Sequence, residues 1–172
     1  AFENILISSK IENKTVQVFI INDTYQKIQD TLQIKIIDFY GKEIWSTNKE
    51  IKVPENSSQK YFEFSLDSVA IRNNFLLSKF KNQTSFFYFT KPKNLQLPDD
   101  KIMKTISKTK EGFSIRLKSS VLQKDVFLYT KEKGHFSDNF FDLLPHQEKH
   151  IIFRTKSKNL PEILCKSLNQ IQ

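Results

Sequence analysis

Apolar and polar residues alternate through most of this chain with the two-residue period of strands that bury one face. Val16, Val18 and Ile20 alternate with Gln17, Phe19 and Ile21, the pattern of a strand buried on one side and partly covered on the other. Leu32, Ile34 and Ile36 against Gln33, Lys35 and Ile37 predict a cleaner half-buried strand. Gly41-Lys42 turns the chain into Glu43–Thr47, with Ile51 and Val53 continuing beyond. Pro54-Glu55-Asn56-Ser57 is turn composition, and Tyr61–Phe64 is the next strand. A short helical turn is predicted over Leu66–Arg72, and Asn82-Gln83 is the loop of a hairpin joining residues 75–80 to 85–90. About seven strands in about ninety residues is the count and spacing of an immunoglobulin-like sandwich.

The pattern is then interrupted. Residues 91–100, KPKNLQLPDD, hold two prolines, several charges and only two leucines, the composition of a short, stiff connector. The β pattern resumes after it. Residues 102–109 are expected to pair with Phe113–Leu117 across Glu111-Gly112, followed by strands at Val126–Tyr129 and Lys149–Arg154. Leu160–Leu164 reads as a helical turn with Pro161 near its start, ahead of a closing strand. The expectation is an all-β chain of two tandem immunoglobulin-like β-sandwich domains, over residues 1–92 and 101–172, with 93–100 as linker.

Composition removes several function classes. Sixteen phenylalanines supply core material, and three glycines and five prolines do not suit a disordered chain. The chain starts Ala1-Phe2-Glu3 and its single methionine is Met103, which suggests a fragment or a removed leader. No apolar run has the length of a signal peptide core or a membrane span. The single cysteine, Cys165, allows neither an internal disulfide nor a thiolate zinc cluster. His135, His146 and His150 do not have metal-ligand spacing with it. The net charge of +8 comes from lysines scattered singly, so a solvated surface is expected and no nucleic-acid footprint.

Residues 136–145, FSDNFFDLLP, are the most distinctive stretch. Asp138-Asn139 is a turn-forming pair whose side chains bond nearby backbone, and the flanking apolar residues need burial. The run resembles the segment before the last strands of the C-terminal immunoglobulin-like domain of glycoside hydrolase family 2 β-mannosidases. The resemblance extends over most of the chain: Ile21-Asn22-Asp23, Asp38–Trp45 (DFYGKEIW), residues 86–95 (FFYFTKPKNL), Leu97-Pro98-Asp99 and Ser120–Leu128 (SVLQKDVFL) are similar to successive segments of the family's last two domains. His146-Gln147 stands where the family often has Gly-Glu.

The resemblance implies a non-catalytic accessory region of a retaining exo-β-mannosidase. Its two catalytic glutamates would lie on a (β/α)8 barrel elsewhere in the same polypeptide, beside N-terminal β-domains. This chain has no βαβ alternation, so no catalytic residue is expected in it, and neither a cofactor nor a metal. Glu43, Glu50, Glu55 and Glu63 read as solvent-facing. The parent is expected to be periplasmic or secreted if bacterial and lysosomal if eukaryotic, with the mannoside reached only through the parent and no nucleic-acid or membrane partner.

Phe136, Asp138, Asn139, Phe140, Phe141 and Asp142 are the candidate structural or interdomain loop. Asp138 and Asn139 would hold backbone while the phenylalanines plug the sandwich end, or the loop would face a sugar cleft or the barrel. Trp45 is a candidate for stacking on a sugar, with burial in the core as the reading preferred here. Four N-x-S/T sequons, at Asn13, Asn22, Asn56 and Asn82, suit surface turns. The alternatives are a carbohydrate-binding module, the accessory domains of a related exo-glycosidase such as an exo-glucosaminidase, or a cell-surface adhesion tandem.

Overall fold

The structure, a computed structural model, describes residues 4–171. The chain is all-β and forms two units: residues up to Asp38 with Lys42–Gln96, and Phe39–Gly41 with Leu97 onward.

The first unit places strands β1 (Ile5–Glu12), β2 (Thr15–Asn22) and β5 (Ser57–Ser65) in one sheet, in the order β1-β2-β5. The second sheet runs β4-β3-β6-β7, from β3 (Ile28–Asp38), β4 (Glu43–Val53), β6 (Asn74–Phe80) and β7 (Gln83–Tyr88). All pairings are antiparallel. The alternation seen in the sequence decides the faces: Val16, Val18 and Ile20 of β2 meet Leu32, Ile34 and Ile36 of β3 in one core, with Ile51, Val53, Leu76, Phe80 and Phe89. Asn13 and Lys14 make the two-residue β1–β2 turn with φ +48° and +59°, the left-handed pair that matches strand twist. The helical turn predicted over Leu66–Arg72 is a 3₁₀ turn at Leu66–Ser68, entered from Ser65, whose hydroxyl accepts from Asp67 N–H at 3.3 Å.

The second unit has a four-stranded sheet, β11-β13-β9-β8, from β8 (Met103–Thr109), β9 (Gly112–Lys118), β11 (His135–Phe136) and β13 (Glu148–Arg154). Facing it is a three-stranded sheet, β12-β10-β14, from β10 (Gln123–Tyr129), β12 (Phe141–Leu143) and β14 (Leu164–Lys166). Phe113, Ile115 and Leu117 of β9 meet Val126 and Leu128 of β10, with Leu143, Ile151, Phe153 and Ile163. The helical turn expected at Leu160–Leu164 does not form. Ile163 is buried and Cys165 packs against the same core, a period of two that fits the extended strand and not a helix. A 3₁₀ turn follows at Leu168–Gln170, with Ser167 and Gln170 in a capping box.

A buried amide network closes this unit. Asn169 Nδ2 donates to Pro98 O at 2.8 Å and to Leu122 O at 2.7 Å, and its Oδ1 accepts from Lys124 N–H at 2.9 Å. Gln123 accepts from the Ser167 hydroxyl at 2.6 Å and donates to Asp100 O at 2.9 Å. With these bonds made, the polar groups stay buried without an uncompensated desolvation cost.

Candidate functional site

Trp45 lies where β4 carries a bulge. Ile36 pairs with Trp45 and Ile37 with Glu43, so Ile44 is the extra residue. The bulge turns both Ile44 and Trp45 toward a cavity of about 360 Å³, lined as well by Ile36, Phe64, Ser68 and Asn74. Trp45 is 41 % exposed and is therefore not the core residue expected from the sequence. It sits on an edge strand, with Phe62 stacked against it at 5.7 Å and 29° and Phe64 tilted at 6.5 Å. Glu43, beside the bulge, bonds Lys35 at 2.6 Å and the Ser46 hydroxyl at 2.5 Å, and these bonds, that from Lys35 first, lower its carboxyl below the usual range. Glu43, Glu50, Glu55 and Glu63 are all exposed.

The second candidate is the loop of residues 136–142. Phe136 belongs to β11 and rests on Phe153 at 4.7 Å. One residue on, Ser137 N–H donates to Ile152 O at 2.8 Å, and Ile152 N–H donates to the Ser137 hydroxyl at 2.9 Å. The ladder with β13 is thus carried one step past the strand, with a side chain replacing a carbonyl.

Asn139 does the same for the opposite sheet. The register of β10 with β12 pairs Val126 with Phe141, so the next position pairs Leu128 with residue 139. There the Asn139 side chain takes the place of backbone. Its Oδ1 accepts from Leu128 N–H at 2.8 Å, and its Nδ2 donates to Leu128 O at 2.9 Å. Asp138, between the two, accepts from Asn139 N–H at 2.9 Å and pairs with Lys149 at 2.7 Å. Asp142 fills the bulge in β10 by accepting from Asp125 N–H at 2.9 Å, and lies 3.6 Å from Lys124 Nζ.

The phenylalanines of this loop separate. Phe136 and Phe141 pack on the core, and the Lys149 ammonium sits 4.9 Å from the Phe141 ring centre. Phe140 does not plug the sandwich. It is 71 % exposed with φ +58°, because the chain reverses through a left-handed residue immediately after Asn139 and turns the ring outward. There it stacks on Phe127 at 5.2 Å, and Phe127 stacks on Tyr129 at 5.0 Å. The outward row on β10 follows from the i, i+2 spacing of Phe127 and Tyr129, but nothing local to Phe140 announces that it joins them.

Three of the four sequons lie at exposed turns, at Asn13, Asn56 and Asn82. Asn22 is fully buried instead: it donates to Gln26 O and Pro54 O, each at 2.9 Å, and accepts from Thr24 N–H and Oγ1 at 3.0 and 2.7 Å. Burial raises the Cys165 thiol to about 11, against a smaller opposing effect of Lys104. Among the described residues, no three His, Cys, Asp or Glu side chains group as metal ligands. Among them no helix is long and apolar enough to cross a membrane.

Comparison with known proteins matches both units. A mannosidase Ig/CBM-like domain family matches residues 14–94, and an Ig-fold domain family of mannosidases matches residues 97–170. The chain is a tandem of mannosidase immunoglobulin-like domains. Such domains are accessory parts of family 2 mannosidases and related exo-glycosidases. No curated protein sequence matches the chain. Among solved structures, the β-D-mannosidase of Dictyoglomus thermophilum is similar over 95 % of this chain, at 21 % identity and a TM-score of 0.71. The exo-chitosanase CsxA of Amycolatopsis orientalis is similar over 97 %, at 12 % identity and a TM-score of 0.54. At these identities the likeness is one of fold. The mannosidase immunoglobulin-like tandem spans 21 % of the first of these proteins and 26 % of the second.

Proposed function

We propose that this tandem is the non-catalytic C-terminal accessory region of a retaining exo-β-mannosidase, which removes terminal β-linked mannose from non-reducing ends. The observation that carries the reading is the order of the two mannosidase domain families along one chain, over residues 14–94 and then 97–170. The β-D-mannosidase of Dictyoglomus thermophilum, which shares this fold over 95 % of the chain, is in keeping with the reading. The partners are the (β/α)8 barrel and N-terminal β-domains of the same polypeptide. The loop Phe136–Asp142 acts as a structural stitch, with Phe140 held outward for contact. The connector of residues 93–100 joins the two domains.

Two measurements test this. The purified 172-residue chain is expected to leave a chromogenic β-mannoside intact, and turnover by it refutes the accessory role. The polypeptide encoded with its upstream sequence is expected to hydrolyse the β-mannoside faster than the β-glucosaminide. The reverse preference transfers the assignment to an exo-glucosaminidase.

A further inference from the structure

The end of the second sandwich opposite the connector is strongly basic, although its lysines stand apart in the sequence. We propose that this end docks on an anionic phospholipid surface. The inference stands independently of what the parent enzyme cleaves.

Three loops make this end. Residues 108–111 turn β8 into β9, residues 130–134 carry β10 into β11, and residues 155–163 carry β13 into β14. Strand register brings them together, since Arg154 pairs with Gly112 on one side and His135 on the other. Each loop holds one Lys-x-Lys, at Lys108 and Lys110, at Lys131 and Lys133, and at Lys156 and Lys158. All six lysines are exposed. Bonds between loops fix the arrangement: the Thr155 hydroxyl donates to Lys133 O at 2.8 Å, and Lys108 Nζ donates to Lys158 O at 3.2 Å. Among the described residues none of the six ammonium groups pairs with a carboxylate. With Arg154, seven cations stand against three carboxylates, Glu111, Glu132 and Glu162, an excess of four in a chain whose whole excess is eight.

Closing a sandwich end does not require this charge. At the opposite end the segments 97–102, 119–122 and 144–147 hold Asp99, Asp100 and a single lysine, Lys101. Guarding an edge strand accounts for Lys108 on β8 but not for lysines out in loops. Six crowded, unneutralised ammonium groups repel one another, and an anionic partner relieves that repulsion.

The layout selects the partner. The loops leave from both sheets, which stack about 10 Å apart with strands about 4.8 Å apart, so the cations spread in two dimensions over more than one phosphate can cover. A field of lipid headgroups matches that spread, whereas a single-stranded polymer follows a groove. None of the three loops carries an aromatic residue, so nucleic-acid bases have no platform to stack on. Leu160, two residues past Lys158, is 68 % exposed, held in solvent by its buried neighbours Pro161 and Ile163. A leucine so placed beside lysines suits the headgroup boundary, where the apolar group enters and the cations meet the lipid charge.

Cosedimentation of the chain with vesicles tests the proposal. Binding is expected to vesicles of phosphatidylcholine mixed with phosphatidylserine and not to phosphatidylcholine alone. It should be lost when salt rises from about 0.1 M to about 1 M, which shortens the screening length from about 10 Å to about 3 Å. Each lysine near the surface is worth about fivefold, so the triple variant Lys110→Gln, Lys133→Gln, Lys156→Gln is expected to bind on the order of a hundredfold more weakly. The same charge change in the first unit, Lys27→Gln, Lys52→Gln, Lys79→Gln, should leave most of the binding. Leu160→Gln is expected to weaken it about tenfold. Equal binding to both kinds of vesicle, equal losses in the two triple variants, or unchanged binding in Leu160→Gln overturns the proposal. Single-stranded DNA bound more tightly per phosphate than the vesicles assigns this end to a nucleic acid and overturns the lipid surface as its partner.

Discussion

Replacing Asn139 tests whether one side chain holds the register of β10 and β12. Leu128 is 1 % exposed, and both of its backbone groups on this side are satisfied only through the Asn139 amide, at 2.8 and 2.9 Å. Asn139→Ala removes two bonds worth about 1 kcal/mol each and leaves a buried N–H and C=O that cost about 1–3 kcal/mol more if water does not reach them. Asn139 is itself half-buried, so partial hydration sets the lower end, and the expected loss is about 2–4 kcal/mol. In a domain of this size each kcal/mol moves the melting point by about 4–8 °C, so a fall of at least about 8 °C is expected by calorimetry. Amide exchange at Leu128 should accelerate with it. Asn139→Asp sharpens the test. Its carboxylate keeps the acceptor for Leu128 N–H but faces Leu128 O, which raises the folded-state pKa above the ordinary value of about 3.9. The difference from wild type should then be smallest below about pH 4, where the protonated acid donates to Leu128 O, and grow as pH rises through the raised pKa. A loss under about 0.5 kcal/mol in Asn139→Ala, or a pH-independent difference in Asn139→Asp, refutes the reasoning.

Gly112→Ala should destabilise the second unit by more than about 2 kcal/mol in urea denaturation, because φ is +139° and an added Cβ would lie 2.1 Å from Phe153 O, a backbone atom of the paired strand. Asn22→Ala should cost about 2–4 kcal/mol, read from Trp45 fluorescence in denaturant, since four bonds end on that fully buried amide; a neutral result would mean that water replaces them. Cys165, with its thiol near 11, should be about one part in a thousand ionised at pH 8 and react slowly with a disulfide reagent until the chain is unfolded; rapid stoichiometric reaction of the folded protein contradicts this. Because burial raises that thiol above its unfolded value, its contribution to stability is complete at neutral pH and declines as the solution is taken above about pH 9.

Much of the architecture is visible in the spacing of apolar residues. β2 and β3 alternate cleanly because each buries one full face, and the turns at Asn82 and at Glu111-Gly112 carry residues that tolerate tight reversal. β1 is harder to read: it is an edge strand with Leu6 and Ile11 exposed, so its pattern is diluted. Pro161 gives Leu160–Leu164 a local preference for a helical turn, which the burial of Ile163 and packing of Cys165 override. Large aromatics usually enter the core, so sequence alone places Trp45 there, and the bulge at Ile44 explains its outward position. The run Ser137-Asp138-Asn139 announces backbone bonding, but which strands it bonds is set by the partners Ile152 and Leu128, remote in sequence.

Ser137 continues the ladder of one sheet and Asn139 that of the other, with a single residue between them. Two peptide units therefore couple the layers of the second sandwich through directional bonds, where elsewhere the layers meet mainly through non-directional apolar contact. A shearing load on β13 passes to β10 through this short tie without waiting for side chains in the core to slip. The two layers then yield together, so this domain should resist extension as one mechanical element and rupture in a single step when the tie parts.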